Sequence, residues 1–158
     1  MAKSAVLNVF ISHVHEDDEG LSKLRDLLAK KGMNIRDGSI NSSRSNEAKS
    51  PEYIKSGILA PRINWAGTFI TYITPHTKDS KWVDWEIEYA EKQGKRIVGI
   101  WAHGHNECEV PDALKKYADT VVPWNTNKII DAIDGKLSDW EDPDGIPIPP
   151  RPIARYGC

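Results

Sequence analysis

Apolar residues recur along this chain in two alternating patterns: short continuous runs, and longer stretches with an apolar position every three or four residues. Ala5-Val-Leu-Asn-Val-Phe-Ile-Ser12 reads as a largely buried strand. Glu16 to Lys31 then carries a helical stripe of Leu21, Leu24, Leu27 and Leu28 with charges elsewhere. Asp17 or Asp18 can cap that helix, and Gly32 stands where a left-handed residue is expected to end it. Met33-Asn-Ile-Arg36 predicts a short second strand, and the polar, Ser- and Asn-rich stretch Gly38 to Lys49 a loop. Ser50-Pro51-Glu52 opens another helix, which Pro61 is expected to end or kink.

The alternation continues. Gly67 to Thr74 is a third strand, and Asp79 or Ser80 caps a helix that runs to Gly94. Arg96 to Ala102 is a fourth strand, Pro111 to Ala118 a short helix, and Thr120-Val-Val-Pro-Trp124 a fifth strand whose proline suits a sheet edge. Asn127 to Lys136 closes the series with Ile129, Ile130 and Ile133 on one face. Five βα units predict an α/β domain with a parallel sheet and helices on both faces, over residues 1–136.

Residues 137–158 break the pattern. Five of the chain's ten prolines fall between Pro143 and Pro152, a composition that favours polyproline II and excludes helix. Ile146, Ile148 and Ile153 lie among them. A solvated linker usually avoids such residues, so part of this tail is expected to pack on a surface, either of its own domain or of a second subunit.

Length and composition narrow the classes. The 158 residues suit one domain, and 39% hydrophobic with 28% charged residues is ordinary for a soluble protein. A formal net charge of −2 offers no bulk attraction to nucleic acid or membrane, and no apolar run approaches a bilayer span. Two cysteines, Cys108 and Cys158, and no apolar leader after Met1 make the cytoplasm the expected compartment.

The chemistry concentrates in Trp82-Val-Asp-Trp-Glu-Ile-Glu-Tyr-Ala90. Glu86 follows Trp82 by four residues, so the two share a helix face. Val83, Ile87 and Ala90 form the inward stripe, and Glu86 lies about 60° from Val83, at its border. Glu88, about 200° further round than Glu86, suits the role of a solvated surface glutamate. A carboxylate on the helix between two buried strands lies near the strand ends where open α/β sheets bind ligands, which makes Glu86 the leading catalytic candidate. Ser12-His13-Val-His15-Glu-Asp-Asp18 ends the first strand and offers polar groups there. His13, His15, His103, His105 and Cys108 admit a zinc reading, but a strand interposed between the two loops weighs against it. No glycine-rich phosphate fingerprint, P-loop or nucleophile elbow is present.

Taken together, these motifs resemble a known family. Val9-Phe-Ile-Ser-His13 with Asp17-Asp18 resembles the opening strand of TIR domains, and Ser80-Lys-Trp-Val-Asp-Trp-Glu86 their Ser-x-Trp-x-x-x-Glu helix. Lys95-Arg-Ile-Val-Gly-Ile100 resembles the strand that follows. Within that superfamily the chain looks most similar to ThsB-type proteins of the Thoeris antiphage system. The resemblance implies a flavodoxin-like fold with strand order 2-1-3-4-5, and an enzyme that cleaves NAD+ between nicotinamide and ribose. NAD+ would be substrate and not cofactor. The product would be a cyclic or conjugated ADP-ribose signal that activates a separate effector protein, and homo-oligomers are compatible with the family. Carried over by position, Glu86 matches the catalytic glutamate and Trp82 the motif tryptophan. Phe10, Ser12 and His13 match the strand end that borders the pocket, and Asp37 a loop-base acidic position. The loop Gly38 to Lys49 departs from the family by lacking its common proline. Two other readings remain: a TIR module that acts by assembly alone, and a nucleoside deoxyribosyltransferase-like enzyme, which also places a glutamate at ribose.

Overall fold

Backbone pairing sets the architecture. The computed structural model describes residues 8–13, 18–37, 57, 59–75, 77–78, 80–102, 110–135, 140–142 and 145–147. Five strands, β1 (Asn8–Ser12), β2 (Asn34–Asp37), β3 (Thr68–Ile73), β4 (Arg96–Trp101) and β5 (Thr120–Val122), form one parallel sheet in the order β2-β1-β3-β4-β5. Between and after them run α1 (Asp18–Lys30), α2 (Ala60–Trp65), α3 (Lys81–Lys92), α4 (Asp112–Tyr117) and α5 (Thr126–Asp134). The expected parallel α/β sheet and its strand order are therefore observed.

Alternating side chains divide the core into two layers. One sheet face presents Phe10, Phe69, Ile73, Ile97, Trp101 and Val121, covered by Ile63 of α2, Val83, Ile87 and Ala90 of α3, and Leu114 of α4. The opposite face presents Val9, Ile11, Ile70, Tyr72, Val98, Ile100 and Val122, covered by Leu21, Leu24 and Leu28 of α1 and by Ile129, Ala132 and Ile133 of α5. Because the central strands are covered on both sides, they read as continuous apolar runs.

Helix ends follow local chemistry. Gly32 (φ +80) and Gly94 (φ +74) adopt the left-handed conformation just beyond α1 and α3. At each, the next amide reaches back into the last turn: Met33 N–H to the Leu28 carbonyl at 3.2 Å, and Lys95 N–H to the Ala90 carbonyl at 3.0 Å. These bonds satisfy carbonyls that a helix end otherwise leaves unpaired. At Pro61, expected to end or kink a helix, no helix ends: π-helical backbone at Gly57 and Leu59 gives way to α2, and Pro61 occupies its first turn, where a missing N–H costs nothing. The predicted helix start at Ser50-Pro51-Glu52 and the loop Gly38 to Lys49 lie outside the described residues.

The proline-rich segment joins the domain through a tryptophan. Trp140 is buried in the layer that contains Trp101, Leu114 and Val121. Glu141 N–H donates to the Val121 carbonyl at 2.8 Å, extending the sheet beyond the short edge strand β5. The Trp101 indole N–H donates to the Glu141 carbonyl at 2.7 Å, and Lys128 Nζ lies 2.6 Å from Glu141 Oε1. An edge strand with open N–H and C=O groups invites unwanted pairing, and this segment covers it. Ile146, one of the isoleucines expected to pack, is 57% exposed. Ile148 and Ile153 lie outside the described residues.

Asp84, in the first turn of α3, meets the start of α4. Burial pushes its carboxyl above the ordinary value of 3.8, a hydrogen bond with the Ala113 backbone opposes this, and nearby Asp112 and Glu88 add to the rise, while Lys78 lowers it. Its Oδ1 is buried and has no hydrogen-bond partner among the described residues. Asp112 is held below the usual range by the Lys78 ammonium, which hydrogen-bonds it at 3.0 Å.

Two stability experiments follow from these contacts. Trp140→Ala should cost about 3–5 kcal/mol in denaturant unfolding, the range for emptying a buried tryptophan site. A loss below about 1 kcal/mol would show that the segment adds little to the fold. The folded Asp84 carboxyl keeps its proton to higher pH than in the unfolded chain. Stability therefore falls as pH rises from 3.8 through the raised folded value, because the native state binds the extra proton in that window. Asp84→Asn, which keeps an acceptor for Ala113, should melt higher than wild type at pH 7, with the gap shrinking as pH falls through the raised folded value towards 3.8. A gap that stays constant across this range would contradict the assignment.

Candidate active site

The site is built where β1 ends and α3 begins its second turn. After β3 the chain makes a buried turn held by threonines. Thr74 N–H donates to Thr77 Oγ1 at 2.9 Å, Thr77 N–H donates to the Thr74 carbonyl at 3.1 Å, and Thr77 Oγ1 donates to the Tyr72 carbonyl at 3.2 Å. Ser80 N–H then donates to the Thr77 carbonyl at 3.1 Å, and Ser80 Oγ accepts from Val83 N–H at 3.1 Å as the cap of α3. The helix start is thus tied to the strand end, and so is the height at which each side chain of α3 meets the sheet. Of the two cap residues that the sequence allowed, Ser80 is the one that caps; Asp79 lies outside the described residues.

Glu86 is 3% exposed. It sits deeper than the border position read from the helical stripe. Ser12 Oγ, on the last residue of β1 and itself fully buried, donates to Glu86 Oε1 at 2.6 Å. That length is typical of a hydroxyl bonded to an ionised carboxylate. A buried charge without such a donor is strongly unfavourable, so the serine offsets part of what desolvation costs. The pair is 74 residues apart in sequence and adjacent in space because β1 and β3 are neighbours and α3 packs across them. Glu88 is exposed, as its angle on the helix implies.

The other predicted site residues divide. His13 is buried and follows Ser12 directly. Trp82, one turn before Glu86 on α3, is 40% exposed and offers an aromatic surface at the same end of the helix. Phe10 is fully buried and stacks on Phe69 with ring centroids 5.4 Å apart, so its ring supports the floor beneath the site. Asp37 ends β2 with its backbone paired to Ile11, at the same sheet end as Ser12. Tyr89 stacks on Trp85 at 5.2 Å, and its hydroxyl accepts from Asn64 Nδ2 at 2.9 Å. Sequence reasoning missed one buried polar residue on this face, Thr71, which pairs with Ser12 across the sheet. A threonine within an apolar strand was the available signal.

Among the described residues, no three His, Cys, Asp or Glu side chains gather to hold a metal ion. His15, His103, His105 and Cys108 lie outside them. Strand β3 does separate β1 from β4, as the argument against a shared histidine site required. No helix among the described residues is long and apolar enough to cross a membrane.

Comparison with known proteins agrees with this geometry. Residues 10–107 match the family described as Thoeris protein ThsB, TIR-like domain. Over 127 residues the chain is 25% identical to a Cytobacillus dafuensis protein named as a cyclic ADP-D-ribose synthase, TIR2; the match covers 78% of this chain and 33% of that protein. The chain thus spans about a third of that relative's length. Among solved structures, a 2-deoxyribosyltransferase from Bacillus psychrosaccharolyticus superposes with a TM-score of 0.59 at 16% identity, over 77% of this chain and 89% of that one. The TIR domain of the Toll-related receptor TRR-2 from Hydra magnipapillata superposes with a TM-score of 0.52 at 17% identity, over 84% and 95%. At such identities these two likenesses concern the fold. The five parallel strands in TIR order, and a family match over more than half of its length, show that the chain belongs to the ThsB TIR-like domain family.

Proposed function

We propose that this chain cleaves NAD+ at the bond between nicotinamide and ribose, with Glu86 as the catalytic carboxylate. The observation that carries the reading is the buried Ser12–Glu86 pair, 2.6 Å apart, at the carboxyl end of β1. Membership of the TIR-like family supports it, as does the similarity to a protein named as a cyclic ADP-D-ribose synthase.

The chemistry suits a fixed carboxylate. As the C–N bond breaks, its electron pair passes to the pyridinium nitrogen, so nicotinamide leaves neutral and needs no strong general acid. Positive charge develops on the ribose as an oxocarbenium ion. An oriented carboxylate nearby stabilises that charge, and a buried setting strengthens the attraction. The same group can accept hydrogen bonds from ribose hydroxyls and fix the reacting geometry. Ser12 holds the carboxylate in place beforehand, while Trp82 offers a face against which a planar ring can stack. In this reading NAD+ is the substrate and no separate cofactor enters. Attack on the ribose by a nucleophile, which loses its proton, then yields a cyclic or conjugated ADP-ribose. That product would act as a signal for a separate effector protein in antiphage defence, in the cytoplasm.

Incubating purified protein with NAD+ and following free nicotinamide by chromatography tests the reading. Glu86→Gln keeps the size of the side chain and removes its charge; the rate should fall by about 100-fold or more while the circular dichroism spectrum is unchanged. Glu88→Gln should match wild type. Nicotinamide release by a folded Glu86→Gln protein at the wild-type rate would refute the role. Base exchange on nucleosides with no loss of NAD+ would point to deoxyribosyl transfer instead. Ser12→Ala should lower the turnover number by about tenfold or more and destabilise the fold by about 1–3 kcal/mol, because it removes a donor from a buried carboxylate. Unchanged melting and unchanged turnover in Ser12→Ala would show that the 2.6 Å bond has no such role.

A further inference from the structure

A second hydroxyl stands beside the first. Strand β3 is the centre of the sheet, and Thr71 lies in its carboxyl half. Parallel pairing sets Thr71 opposite Ser12 on β1 and opposite Gly99 on β4. Residues paired across neighbouring strands share a face of the sheet. Phe69 and Ile73, two residues to either side of Thr71, belong to the layer that packs under α3. The Thr71 side chain is therefore on the face that carries Ser12 and receives Glu86.

Thr71 is fully buried, and its Oγ1 has no hydrogen-bond partner among the described residues. A buried hydroxyl in that state is unfavourable, and valine has nearly the same shape without the polar atom. The flanking positions Phe69, Ile70, Tyr72 and Ile73 are large apolar or aromatic residues. This hydroxyl lies one strand away from the serine that holds the site carboxylate. Neighbouring strands lie about 4.8 Å apart, a separation that one carboxylate with its two oxygens can bridge. An ionised carboxylate accepts about four hydrogen bonds, enough for Ser12, Thr71 and a ribose hydroxyl together.

We infer that Thr71 is a positioning residue for the Glu86 carboxylate: in the substrate-bound state its hydroxyl donates to Glu86 beside that of Ser12, and the two together aim the carboxylate at the ribose. The inference rests on the reading of Glu86 as the carboxylate that cleaves NAD+.

The test compares Thr71→Val, which removes the hydroxyl at constant shape, with Thr71→Ser, which keeps it. Both are made in the full chain and measured for kcat and KM with NAD+, and for unfolding. The expected result for Thr71→Val is a fall in kcat of about tenfold or more, with KM within about twofold and stability equal to or above wild type. Thr71→Ser should stay within about threefold of the wild-type kcat. A hydroxyl that is only structural would leave kcat unchanged in both. Wild-type kcat in Thr71→Val therefore overturns the inference while leaving the role of Glu86 standing. An equal loss in the serine variant overturns it too, because the hydroxyl is still there. If wild-type protein shows no NAD+ turnover, the functional reading fails and takes this inference with it. Should Thr71→Val not fold, Thr71→Ala against Thr71→Ser carries the same comparison.

Discussion

A carboxylate withdrawn from water must find a donor, and in this domain Glu86 finds it on a strand 74 residues away in sequence. That requirement ties the parts of the structure to one another. Ser12 can reach Glu86 only if β1 lies next to β3 and α3 crosses their shared face. A shift of α3 by one residue would turn Glu86 by about 100° and present Trp85 or Ile87 in its place. The bond is thus compatible with a single register of helix on sheet. Burying a charge is poor economy for stability alone, and an apolar side chain would pack there at less cost. A group kept at that expense, at the strand ends of an open α/β sheet, fits the functional role proposed for it.

Several local devices hold α3 at the needed height. Its start is set by the Ser80 cap and by the Thr74–Thr77 turn, which anchors the cap to the end of β3. Its end is set by Gly94, whose positive φ lets the next amide close the last turn. Between these points Val83, Ile87 and Ala90 press on the sheet. On the far side of the same layer, Trp140 fills the space beside Trp101 and Leu114, and Glu141 pairs with the edge strand. The segment after α5 thus supports the layer on which α3 rests, although it meets the sheet at the β5 edge, with β3 and β4 between it and β1.

Much of this was legible in the sequence because periodicity and capping are local properties. The apolar runs and leucine and isoleucine stripes predicted five βα units, and Gly32, Gly94 and Ser80 marked helix ends by conformational preference. The spacing within Trp82 to Ala90 identified Glu86 and set Glu88 aside as a surface residue. Pro61 was ambiguous for the same reason that it is informative: proline ends one helix as readily as it begins another, and only the backbone around it distinguishes the two.

What depended on contact between distant segments could not be read locally. That Glu86 is buried and not merely bordering the core follows from how closely α3 lies on β1 and β3. The pairing of Ser12 with Glu86 follows from α3 lying across β1 and β3, and the strand order sets Thr71 opposite Ser12. In the tail, composition drew attention to the isoleucines among the prolines, yet Ile146 faces solvent and Trp140 is the anchor. Composition reports how much apolar surface a segment carries, while its burial depends on the shape of the surface it meets. The sequence by itself determined the elements, their likeness to a TIR domain and the identity of the candidate carboxylate. The tertiary structure alone decided that the Ser12 hydroxyl meets that carboxylate, because a bond between a strand end and a helix depends on how the elements pack and not on their order along the chain.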